Sequence, residues 1–239
     1  MFAKLHHSDL AGLRDRIECV LDGAADSHAA EAGLSEWALG DDLAGGGAEG
    51  ALLAVGWLVA EGVRLAGACG AVESEAQSLV CIGRACWPYA RGLELDVARR
   101  LLLVDAASRE QAVWAAERCL RSGAVGAVVM DGRGLGMTAT RRLHLAARAT
   151  GRGVVLGRRR DELGLPSAAS VRGVVRAVVS ESGRPRWSVE VLRRKGLRPE
   201  GPGRWVVERR GASMVVVVDA EVVDGSVASP RGWRPAAVG

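Results

Sequence analysis

Four short apolar runs, at residues 78–83, 101–104, 125–130 and 154–156, are separated by segments of turn or helical character. A continuous apolar run of this length is the mark of a strand buried on both faces. Strand–helix–strand alternation restricts the chain to an α/β fold with a parallel sheet and helices on both sides. The helix signals are local and specific. Ser108 and Gln111 have capping-box spacing, Val113, Ala116, Cys119 and Leu120 form an apolar stripe, and Gly123 supplies the stop. A second helix is predicted over 138–150, closed by Gly151, and a buried helix over 51–67. A short strand is expected around Trp37.

The character changes after Arg158. Residues 171–179, 187–192 and 205–209 alternate or run β-branched, with Gly/Pro segments between them, and 214–218 is a last strand candidate. They predict antiparallel strands that continue the sheet. The expected organisation is an N-terminal helix (8–21) and linker within 1–32, a core over 33–210, and a C-terminal strand and flexible tail over 211–239.

Of the 239 residues, 49% are hydrophobic and 4% aromatic, so the core has to be built from Ala, Val and Leu around seven Trp. The most apolar stretch, 51–67, is interrupted by Glu61 and Arg64, and a spanning helix needs about 20 apolar residues. No signal core opens the chain, so a cytoplasmic location is expected. The cysteines, Cys19, Cys69, Cys81, Cys86 and Cys119, match no paired zinc spacing and read as reduced, buried thiols. No metal or cofactor is expected.

Charge is uneven. Residues 1–120 carry 10 Lys+Arg against 18 Asp+Glu, whereas 121–239 carry 22 against 10. Lys occurs only at Lys4 and Lys195. The basic half is open to two readings, an anionic partner or a bias toward Arg. Arg141 and Arg142 lie on the 138–150 helix, Arg158, Arg159 and Arg160 end a strand, and Arg184, Arg186, Arg193, Arg194 and Lys195 flank Trp187. Arg forks suit phosphate and Trp stacks on bases. Equally, these residues make a solvated charged face with Trp187 packed inward. Arg133, in the loop after a strand, is a further DNA candidate, and His144 reads as a surface or satisfied histidine.

A phosphate-binding loop needs G-x-x-x-x-G-K-[ST] between a strand and a helix, for amide cradle, counter-charge and metal ligand. Gly40 to Gly45 has the frame, but Gly46 and Gly47 stand where Lys and Ser/Thr are required. A second frame, Gly45 to Gly50, is followed by Ala51 and Leu52. Asp41 and Asp42 place negative charge where phosphate would sit, which at about 4 Å costs on the order of 1 kcal/mol in water and more when partly buried. The stretch is either a degenerate phosphate loop or an ordinary Gly-rich turn. Asp131 ends an apolar strand in the manner of a Walker B aspartate, and with no Lys in the Gly-rich loop upstream it reads as structural.

The order of several stretches carries a resemblance. They are Gly33-Leu34-Ser35-Glu36-Trp37-Ala38-Leu39-Gly40, the 101–104 strand with Glu110 to Glu117, and Thr138-Ala139-Thr140-Arg141-Arg142-Leu143-His144. Pro166 to Ser170 and Arg184 to Arg193 follow. Over about 33–210 the chain resembles the ImuA family, RecA-like proteins of bacterial damage-induced mutagenesis. The resemblance implies a RecA-like, mostly parallel sheet flanked by helices, with antiparallel C-terminal strands. It also implies a non-catalytic adaptor in SOS-induced translesion synthesis. Implied partners are an ImuB-type polymerase-like protein, an error-prone DnaE-type polymerase and RecA, and the basic half adds single-stranded DNA as a candidate partner. Two other readings stay open: a regulatory inhibitor of another protein's assembly, as in RecA-fold division inhibitors, and an atypical ATPase drawing its Lys from Lys4 or Lys195.

Overall fold

The computed structural model describes residues 33–39, 47–68, 78–88, 93, 95–178, 184–195, 203–210 and 213–217. The expected N-terminal helix and the residues Gly40 to Gly46 lie outside the described residues. The parallel part of the chain runs β1 (Gly33–Leu39), α1 (Gly47–Ala68), β2 (Ser78–Ile82), α2 (Leu95–Arg100), β3 (Leu101–Val104), α3 (Arg109–Ser122), β4 (Val125–Asp131), α4 (Met137–Thr150), β5 (Gly153–Arg158) and β6 (Val171–Val178). The strands β7 (Arg186–Arg194), β8 (Gly203–Arg210) and β9 (Ser213–Val217) follow.

One nine-stranded sheet results, in the order β3-β2-β4-β5-β1-β6-β7-β8-β9. The strands from β3 across to β6 are parallel, and β7, β8 and β9 are antiparallel. This is the mixed α/β architecture expected from the sequence. The pairing of β8 with β9 carries the sheet past residue 210, where the core was expected to end.

Strand alternation assigns each residue to a face. Val80, Ile82, Val128, Met130, Val154 and Leu156 pack with Val113, Ala116, Leu120, Leu143 and Ala147 of α3 and α4. The intervening Leu79, Cys81, Ala127, Val129 and Val155 pack with Trp57, Leu58 and Leu65 of α1 and Val97 of α2. Trp57 sits edge-on between Trp37 and Trp187, with ring centroids 5.3 and 5.8 Å away. Trp187 is 1% exposed, so it is a core residue and does not stack on bases. Such edge-to-face contacts add roughly 0.5–1.5 kcal/mol to the burial of the rings.

The α3 and α4 boundaries follow their local signals. Ser108 Oγ accepts the Gln111 amide at 3.2 Å, while Gln111 Oε1 reaches the Ala107 amide at 3.1 Å. Gly123 and Gly151 end the two helices at φ 71° and 67°, a region that favours glycine. α1 departs from expectation: it starts at Gly47, not Ala51. The second phosphate-loop frame, Gly45 to Gly50, is thereby corrected, since Gly47 to Gly50 form the first turn of the helix. The tertiary packing of Trp57, Leu58 and Leu65 overrides the low helix propensity of those glycines. No helix among the described residues is long and apolar enough to cross a membrane.

Candidate functional site

In open α/β sheets ligands bind beyond the carboxyl ends of the strands, where successive crossovers turn to opposite faces. Here that place lies at the C-terminal ends of β1, β5 and β4. α1 follows β1 on one face of the sheet, and α4 follows β4 on the other. Gly47, in the position of the missing hydroxyl, begins α1; Gly40, Gly45 and Gly46 are outside the described residues.

Asp131 closes β4 and is already engaged. Arg133 grips it with two parallel bonds, Nε to Oδ1 at 2.8 Å and Nη2 to Oδ2 at 2.6 Å, and its amide adds a third at 3.1 Å. Burial pushes the Asp131 carboxyl up. The Arg133 hydrogen bonds and the Arg133 and Arg109 charges outweigh it and hold the group below its ordinary value. Arg133, a DNA candidate in the sequence, is thus tied down by the carboxylate two residues before it.

Beneath this pair lies a buried four-charge cluster. Glu36 of β1 accepts Arg172 Nε at 2.8 Å and the Ser167 hydroxyl at 2.7 Å, and Arg158 Nε stands 3.6 Å away. Arg158 also donates Nη1 to the Gly132 and Leu135 carbonyls. Glu162, in the 3-10 turn Arg160–Gly164, accepts the Gly134 amide at 2.7 Å and the Arg159 amide at 3.1 Å. Two arginines and two glutamates balance, and the contacts stitch the loop after β4 to the turn after β5 and to β1 and β6. The side chains of Glu36 and Arg158 are 0% exposed. Arg158 was expected to face DNA or a partner; that expectation is corrected, because the 160–164 turn folds over it and Glu36 and Glu162 flank it.

The remaining predicted cations divide between the two ends of the sheet. Arg159 is at the C-terminal edge, paired with Asp161 at 2.7 Å, and Arg160 beside it is exposed. Arg184 and Arg186 are at that edge too, both on buried Glu208, at 3.5 and 2.7 Å. On α4, Arg142 pairs with Glu117 of α3 at 2.6 Å, and Arg141 is exposed. Arg193, Arg194 and Lys195 lie at the opposite edge, because Arg194 is in register with Val171 at the start of β6. Lys195 follows β7, which β5, β1 and β6 separate from Asp131 on β4.

At this N-terminal edge stands His144, which is buried rather than exposed. Among the described residues its Nδ1 has no hydrogen-bond partner. Burial, then the charges of Lys195 and Arg148, lower its pKa below the ordinary 6.5. Sequence reading missed this grouping, and it also missed Glu36 and Arg172. The signal for the latter was present: a charged residue inside an otherwise apolar strand demands a partner.

Cys81, Cys86 and Cys119 are free thiols, and burial pushes Cys81 up to about 12. Large apolar side chains exposed among the described residues include Trp114 on α3, Leu145 on α4, and Leu102 and Leu103 on β3, the first strand of the sheet order.

No family model matches the chain, and no curated protein matches it. Among solved structures, SulA from Pseudomonas aeruginosa is similar at 22% identity and a TM-score of 0.35, over 52% of this chain and 97% of that one.

Proposed function

We propose that the chain is a non-catalytic RecA-fold adaptor of damage-induced, error-prone translesion synthesis. In this reading it links an ImuB-type polymerase-like protein and a DnaE-type polymerase to single-stranded DNA or RecA. The observation that carries the non-catalytic part is the self-neutralised edge where a nucleotide would bind. Asp131 is saturated by Arg133 and the sequence supplies Gly46 and Gly47 in place of Lys and Ser/Thr. Among the described residues, a phosphate approaching this edge finds no Lys, and the Asp131 carboxylate is already held by Arg133. The damage-response role rests on the sequence resemblance. The exposed Trp114 and Leu145 of the helical layer suit a protein-facing role, since large apolar anchors enrich such interfaces.

The test is twofold. A fluorescent ATP analogue with Mg²⁺ is titrated against the chain, and the chain is co-purified with an ImuB-type protein. No saturable nucleotide binding together with a stable complex supports the adaptor. Micromolar nucleotide binding with turnover favours the atypical ATPase instead.

One observation favours a second reading, a regulatory inhibitor of another protein's assembly. β3 is a terminal strand of the sheet order and carries Leu102 and Leu103 at 53% and 49% exposure. An apolar edge strand is a template for pairing with another chain and for capping its growth. A salt-insensitive protein complex without any DNA affinity would favour this reading over the adaptor.

A further inference from the structure

The cations of the basic half do not share one fate. Among the described residues at the C-terminal edge, Arg133 meets Asp131, Arg159 meets Asp161, and Arg184 and Arg186 meet Glu208, while Arg141 is exposed. At the N-terminal edge Arg148, Arg193 and Lys195 are exposed, and no carboxylate among the described residues pairs with them.

The backbone brings these residues together. The Lys195 amide donates to the Ser170 carbonyl at 2.7 Å, and the Ser170 amide donates to the Leu34 carbonyl at 2.8 Å. A side chain at Gly33 would meet Ser170 Oγ at 3.3 Å and His144 at 3.4 Å, so both groups flank the start of β1. Arg148 is one helical turn beyond His144 on α4, and Lys195 approaches from the end of β7. The groups acting on His144 are these two cations, from its own helix and from β7, and no carboxylate is among them. His144 Nδ1 lies buried there, with no hydrogen-bond partner among the described residues.

We infer that this edge, formed by His144, Arg148, Ser170, Arg193 and Lys195, binds the phosphodiester backbone of single-stranded nucleic acid. The inference rests on the DNA contact in the proposed function and assigns it to one end of the sheet. Exposed cations on converging elements, with no carboxylate pairing them among the described residues, suit a chain of phosphates, whose condensed counterions they displace. Ser170 offers a hydroxyl donor. A phosphate oxygen also reverses the electrostatics at His144, drawing a proton onto a ring that the free protein keeps neutral at pH 7. Binding therefore tightens as pH falls from about 8 to about 6.

The experiment is fluorescence anisotropy of labelled oligothymidylate with the full chain across a salt series. The wild type is compared with Arg148→Ala/Lys195→Ala and with Arg159→Ala/Arg160→Ala, each checked by thermal melting. Arg148→Gln/Lys195→Gln replaces the first variant should it fail to fold. The expected result is about tenfold weaker binding for the N-terminal-edge variant and a salt slope smaller by about 1.4, with the other variant at wild-type affinity. The pH dependence should flatten in His144→Gln. Loss of binding in Arg159→Ala/Arg160→Ala alone would overturn the assignment while leaving DNA contact intact. Absence of wild-type binding at low salt would overturn both. Binding of polyglutamate equal to that of oligothymidylate, lost in the same variant, would overturn the nucleic-acid assignment in favour of an acidic protein.

Discussion

The two ends of this sheet are built from the same residue types and behave as opposites. At the C-terminal edge arginines are spent on carboxylates of the same chain: Arg133 on Asp131, Arg159 on Asp161, Arg184 and Arg186 on Glu208. At the N-terminal edge no carboxylate among the described residues pairs with Arg148, Arg193 or Lys195, and a buried imidazole lies between α4 and β1 whose Nδ1 has no hydrogen-bond partner among them. An arginine-rich stretch is therefore not by itself a binding surface. What decides is whether the fold delivers a counter-charge to it. In this chain the described arginines Arg133, Arg184 and Arg186 at the strands' C-terminal ends hold the chain's own carboxylates, and exposed cations stand at the other end.

The contrast makes mutational effects rank by edge. The largest is expected from Glu36→Ala, which strands Arg158 and Arg172 in a site without solvent. Breaking such a pair by removing one partner costs about 3–5 kcal/mol, read as a lower denaturation midpoint in urea. Glu162→Ala is expected to be milder, about 1–3 kcal/mol in the same assay, because it leaves the Gly134 and Arg159 amides without their acceptor. Asp131→Asn should cost under about 1 kcal/mol, since the Arg133 pair is partly solvated.

At the other edge effects on stability should be small. His144 provides a pH test. Its folded pKa is depressed, so the unfolded chain binds the proton more readily. Stability is then full above the ordinary value of 6.5 and is lost as pH falls through the lowered folded pKa. Urea midpoints taken from about pH 7.5 down to about pH 5 should fall less steeply in His144→Gln than in the wild type. Smallest of all, Arg148→Ala should leave stability within about 0.5 kcal/mol while weakening nucleic acid. A destabilisation as large as that of Glu162→Ala would erase the distinction between the edges.

Much of the fold was legible because its signals are local. Ser108, Gly123 and Gly151 set helix ends through their own backbone and side chain, and the apolar runs announce buried strands. The site was legible only in part. The Gly-rich stretch showed its missing Lys, but Glu36 and Arg172 meet across 136 residues, a distance no spacing rule spans. Arg158 misled for a related reason. In sequence it opens a run of three arginines that looks solvated, and only the 160–164 turn closing over it makes it a core residue. Trp187 was ambiguous until Trp57 was found against it.

The most direct measurement is the affinity for labelled oligothymidylate at low salt, with and without ATP and Mg²⁺. The account predicts binding that weakens steeply with salt and has the same Kd in both conditions, because the phosphate-binding end of the sheet is neutralised and the opposite end does the binding. A Kd that shifts on adding ATP would contradict it, since the C-terminal edge would then be holding a nucleotide and communicating with the DNA.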